Sequence, residues 1–185
     1  MYFFLQNYLK FDFNYDKDKI KLLKSNFKNK DLSLSFDSII SLSPFFSTIS
    51  TIQIKDIKQS FFDKILLEKI IQKKEIIKKI NGKILFNYKS KKFYFSIFDS
   101  LSMDVNLEHG NYFASKKILF SGGYINCKTE SNLKEDYPRI NFICNLNIDN
   151  KKSFFRKFSL TDEITNNKIN LNFKGALNIL NKKIY

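Results

Sequence analysis

The residues from Arg139 to Asp149 constrain this chain more than any other stretch. Ile140, Phe142, Cys144, Leu146 and Ile148 alternate with Arg139, Asn141, Asn145, Asn147 and Asp149, and only Ile143 breaks the rhythm. A period of two held for so long requires a β-strand with one dry face and one wet face. Upstream, Ile118 and Phe120 are separated from Ile125, Cys127 and Thr129 by Gly122-Gly123. The apolar parity changes from even to odd across these glycines, as a bulge within a strand would make it. Lys134 to Tyr137, followed by Pro138, reads as a hairpin loop joining the two halves.

The same rhythm recurs along the chain. Leu9, Phe11, Phe13 and Tyr15 form a first strand, Asp16 to Lys19 a turn, and Ile20 to Leu23 the start of the return. Leu32, Leu34 and Phe36 make another strand, continuing towards Ile40 and Leu42, and Ile52 and Ile54 mark a further one. The serines between Ser33 and Ser50 alternate with Leu, Ile and Phe, which places them on the wet side of a sheet rather than in a linker. From Ser60 to Ile80 the period changes to a helical stripe, with Ser60 and Asp63 as an N-terminal cap pair and Asn81-Gly82 as the stop. This basic amphipathic helix has two readings, packing against the sheet or lying on a membrane surface. After it come Ile84–Tyr88, Phe93–Ile97 and Leu101–Leu107, then the opening hairpin. A short helix is predicted at 153–158, and a last strand carries Ile169, Leu171, Phe173, Leu177 and Ile179. The predicted fold is therefore mainly β: a curled antiparallel sheet, open as a groove or closed like a sandwich, with one amphipathic helix and one short one. Strands fill 1–57 and 83–185 on either side of the 60–80 helix, as a single domain or a segment of a longer β-rich protein.

Composition limits the chemistry. His109 is the only histidine, and beside Gly110 it reads as an exposed turn residue. Two cysteines without other soft ligands do not make a zinc site, and five glycines show no phosphate-loop spacing. Glu135-Asp136 and Asp162-Glu163 read as solvated loop carboxylates. Nothing here argues for an enzyme, and no cofactor or metal is expected. The net charge of +14 rests almost wholly on lysine, since Arg139 and Arg156 are the only arginines. Together with abundant Asn, Ile and Phe and scarce Ala, this is the signature of an AT-rich genome. The charge would still draw anionic surfaces at low salt. No run approaches the ~20 apolar residues of a membrane-spanning helix, and Met1–Leu5 lacks the basic flank of a signal peptide. The last residues, Ile179 to Tyr185, read as a turn entering another strand, as in a piece of a longer chain.

The hairpin loop also predicts a register. With Lys134 to Tyr137 in the loop, Ser131 faces Ile140, Thr129 faces Phe142, Ile125 faces Leu146, and Cys127 faces Cys144. Directly opposed residues of an antiparallel pair have Cα atoms about 4.5–5.5 Å apart, within or near disulfide reach. Whether the two are bonded or simply meet as small apolar residues depends on the compartment.

The strand rhythm, the run Lys116-Lys-Ile-Leu-Phe-Ser-Gly-Gly123 and the closing Asn170-Leu-Asn-Phe-Lys-Gly-Ala-Leu-Asn-Ile179 resemble AsmA-like proteins. That family includes the TamB and YhdP relatives, large envelope proteins of Gram-negative bacteria. The resemblance is strongest from Asn81 onward, and it lies in strand rhythm more than in fixed chemistry. It implies a long curled antiparallel sheet with an apolar inner groove, serving phospholipid transport or outer-membrane biogenesis. It also implies a place on the periplasmic side of the envelope, an inner-membrane anchor outside this chain, and phospholipid, a membrane surface or other envelope proteins as partners. The groove lining would comprise Leu101, Met103, Val105, Leu107, Ile125, Phe142, Leu146, Ile148, Ile169, Leu171 and Phe173. Two alternatives stay open: the same faces closing on each other as an ordinary core, and a basic β-rich module for nucleic acid or another polyanion. Against the second, the lysines are scattered, and the aromatics share the dry face instead of forming an exposed stacking platform. No specific nucleic acid is expected.

Overall fold

The computed structural model describes residues 7–58, 74–90, 98–160, 168–180 and 183–185. Ten strands form one sheet in strict sequence order, β1 (Tyr8–Asp16), β2 (Lys19–Lys28), β3 (Leu32–Ser41), β4 (Ser47–Ile57), β5 (Asn81–Lys89), β6 (Ser100–Glu108), β7 (Asn111–Phe120), β8 (Gly123–Asn132), β9 (Arg139–Ile148) and β10 (Ile169–Asn178). The sheet is not closed into a barrel. All ten strands belong to it, so among the described residues no second sheet stands opposite.

Sequential order follows from short connections. Lys17-Asp18, His109-Gly110 and Ser121-Gly122 each join strands through two residues, for Asp16 pairs with Lys19, Glu108 with Asn111 and Phe120 with Gly123. His109 and Gly110 both have positive φ, 47° and 85°, the backbone that lets a two-residue turn match the twist of its strands. The His109 backbone N–H donates to Asn81 Oδ1 at 2.8 Å, tying this turn to the start of β5.

Three sequence expectations change here. Gly122 sits with Ser121 in a two-residue turn between two strands and Gly123 opens the second of them, so the glycines do not mark a bulge within one strand. A two-residue hairpin pairs even positions with odd ones, so the parity of the dry face flips without any extra residue. The sheet is also mixed, because β4 and β5 run parallel, Ser47 beside Asn81 through Ile54 beside Tyr88. Parallel neighbours cannot be joined by a hairpin and need a crossover of a dozen residues or more. Residues 58–80 supply that length, which strand rhythm alone does not convert into a direction. Of the helix predicted there, the described part is α1 (Lys74–Ile77). It ends before Asn81, which already belongs to β5, and the Ser60–Asp63 cap lies outside the described residues. So do Phe93 to Ile97 and Asp162-Glu163.

The second helix, α2 (Lys151–Phe158), starts two residues before the predicted 153. Asn150 caps it, its side chain accepting from Ser153 N at 2.9 Å. Phe154 and Phe158 of α2 pack on Phe120 at the end of β7, with ring centroids 5.4 and 6.3 Å apart. The turn fits this helix closely: Asp149 N and Asn150 N both donate to Gly122 O at 2.9 Å. A Cβ on Gly122 would lie 2.2 Å from Asn150 O. At the far edge Ile184 bridges Leu177, so the chain does turn back along β10.

Candidate apolar face

Residues paired across a sheet share a face, so the register sorts every strand position. One face collects the dry positions of all ten strands. Along it Leu9, Phe27, Leu34, Ile54, Tyr88, Leu101, Ile118, Ile125, Leu146 and Leu171 stand side by side, each the partner of the next. This row is apolar or aromatic at every step. At ~4.8 Å per strand it runs about 43 Å across the sheet.

Flanking rows are more mixed. One carries Phe36, Ile52, Phe86, Met103, Lys116, Cys127, Cys144 and Phe173, and another Ile84, Val105, Ala114, Thr129 and Phe142. Leu107 belongs to a third row, opposite Tyr112, and Ile148 pairs Ile169 near the α2 end. All eleven groove residues proposed from the sequence thus lie on one face. The sequence did not connect them to β1–β5, because alternation shows that a strand has two faces but not which face joins its neighbour's. Only the register carries the row on to Leu9.

Exposure along the face follows position in the sheet. Val105 and Ile148, on interior strands, are 6% and 3% exposed, whereas Leu171 on β10 is 51% and Phe13 on β1 66%. Interior side chains are walled by neighbours on both flanks; those on β1 and β10 have a wall on one flank only. Gly175 makes room on the face, since a Cβ there would meet the Phe142 ring at 2.6 Å. Phe142 in turn meets Phe173 edge-on at 6.4 Å.

Cys127 and Cys144 face each other in the predicted register, with Cα atoms 4.1 Å apart and the sulfurs joined. The bond lies among the apolar rows and staples β8 to β9. The serines divide in a way the sequence did not show. Ser33 and Ser35 fall on the polar face, but Ser38 and Ser50 are buried on the apolar one, where their hydroxyls bond each other at 2.7 Å. That mutual bond lets two hydroxyls occupy dry positions without an unmet partner.

The opposite face is mainly polar, although Ile39, Ile49, Leu85, Phe113 and Leu119 stand exposed on it. Asn147, Asn145 and Asn172 are hydrogen-bonded side chain to side chain along it. Ile143, the exception in the β9 rhythm, sits there 67% exposed. A hollow of about 580 Å³ lies over this face at β5–β9, lined mainly by residues of that face such as Lys83, Asp104, Lys128 and Glu130. Its mixed charge focuses neither a cation nor an anion. His109 is exposed at its turn, its ring edge-on to Phe45 at 6.4 Å. No protein-family model, no curated protein and no solved structure matches the chain.

Proposed function

We propose that this chain is a non-enzymatic lipid-carrying segment of the bacterial envelope. In this reading acyl chains lie on the apolar face, the protein works on the periplasmic side in phospholipid transfer or outer-membrane biogenesis, and the anchor to the inner membrane lies outside this chain. The observation that carries the reading is the apolar row crossing all ten strands without a polar interruption. A hydrocarbon chain laid along it gains ~0.8 kcal/mol per buried methylene, so affinity builds from many small contacts. The strands beneath satisfy their own backbone hydrogen bonds, as a dry conduit requires. The AsmA-like resemblance points the same way, and a Cys127–Cys144 bond suits an oxidising compartment. The polyanion alternative draws less support, because acids interleave with the lysines of the polar face.

The test is photo-crosslinking in cells, with a photoreactive residue at Phe142 on the apolar face or at Asn145 on the polar one. Phospholipid adducts are expected at Phe142 and not at Asn145. Equal capture at both positions, no lipid at either, or nucleic acid shed steeply with salt would overturn the reading.

A further inference from the structure

The apolar face holds a single charged residue among the described strand positions, Lys116. It sits between Met103 on β6 and Cys127 on β8, and its neighbours on the same face of β7 are Ala114 and Ile118. Ile118 belongs to the unbroken row, two residues along the strand and so about 7 Å away. Lys116 is partly buried, and no described residue forms an ion pair or hydrogen bond with it. Among the described strand positions no acidic side chain shares that face; Asp99, just before β6, continues it at the level of Phe120, four residues along β7 from Lys116 and so about 13 Å away, and the nearby Asp104 belongs to the polar face, paired with Ser115. Lys117 also faces away, its ammonium over the Tyr124 ring at 5.4 Å. The sequence shows Lys116-Lys117 as one basic pair; the register splits it between the two faces.

An ammonium surrounded by apolar neighbours is costly once water is displaced, unless an anion replaces the water. Among the described residues no acid stands beside Lys116 on the face to provide one. An amphiphile laid along the row would displace that water and bring its own anionic end. We propose that Lys116 is the headgroup anchor of the apolar face, receiving the phosphate or carboxylate of an anionic amphiphile whose hydrocarbon follows the Leu9-to-Leu171 row. This rests on the lipid-carrying reading and adds the ligand's charge and its position along the row. Its stem lies among apolar side chains, and its three N–H donors suit a phosphate or carboxylate oxygen.

The experiment titrates the whole chain with a fluorescent polyene fatty acid and, separately, with its neutral methyl ester. Four proteins are compared: wild type, Lys116→Met, Lys116→Arg and Lys117→Met, each checked for an unchanged thermal midpoint. Wild type binds the acid about tenfold more tightly than the ester, equivalent to ~1.4 kcal/mol. Lys116→Met binds both like the ester, while Lys116→Arg and Lys117→Met keep the preference. A short-chain phosphatidic acid displaces the bound acid, and inorganic phosphate at the same concentration does not. Displacement by inorganic phosphate would make this a free-phosphate site and overturn the proposal. Tight binding of both ligands with no preference, or a preference that survives Lys116→Met, removes the anchor and leaves the groove. Binding of neither removes the groove and the anchor with it.

Discussion

Breaking the Cys127–Cys144 bond tests how the hairpin is held. The two residues are 17 apart in sequence. By the loop-closure relation, opening a loop of that size returns ~10 cal/mol/K to the unfolded chain, about 3 kcal/mol at 25 °C. The native side loses little when both residues become alanine, because the β8–β9 ladder keeps its backbone pairing from Gly123–Ile148 to Glu130–Asn141. Reduced wild type and the Cys127→Ala/Cys144→Ala double variant should therefore agree. Both should unfold in urea about 3 kcal/mol more easily than the oxidised protein. Thermal midpoints should fall by roughly 6–12 °C. The denaturant slope should rise slightly, because an uncrosslinked unfolded chain exposes more surface. The assay is paired urea and thermal melts, with alkylation and mass spectrometry establishing the thiol state of each sample. An unchanged midpoint with both thiols alkylated would refute the loop-entropy reasoning. Two alkylated cysteines in protein taken from its native compartment, with thiols blocked at lysis, would refute the bond itself.

Three further perturbations follow from the same geometry. Gly123→Ala places a methyl 2.2 Å from Asn147 O and 2.9 Å from Ile148 Cα, backbone atoms that cannot rotate away. Unfolding free energy should fall by at least ~2 kcal/mol in urea melts, and a loss below ~0.5 would mean that β8 and β9 can part freely. Leu146→Asp puts a carboxylate into the unbroken row and should abolish lipid capture at Phe142 while destabilising the sheet by at least ~2 kcal/mol. Ile143→Asp, three residues away on the polar face, should alter stability by no more than ~0.5 kcal/mol and leave capture intact. Equal effects of the two would contradict the assignment of faces.

The sequence by itself determined most of the strands and most of their dry residues, since alternation is a local property that each strand shows alone. It also determined the β8–β9 register, because a short loop leaves only one alignment that puts Ile125 beside Leu146 and Cys127 beside Cys144. The tertiary structure decided what depends on how strands meet. It made β4 and β5 parallel, a direction set by the crossover between them and by no residue within either strand. It made Ser121-Gly122 a hairpin turn with Gly123 opening β8, since a bulge and a two-residue turn leave the same parity change in the sequence. It sent Ser38 and Ser50 inward, where their mutual hydrogen bond outweighs the polarity that had placed them in water. It also separated Lys116 from Lys117 and joined ten separate dry stripes into one row, because only hydrogen-bonded register fixes which side of one strand continues the face of the next.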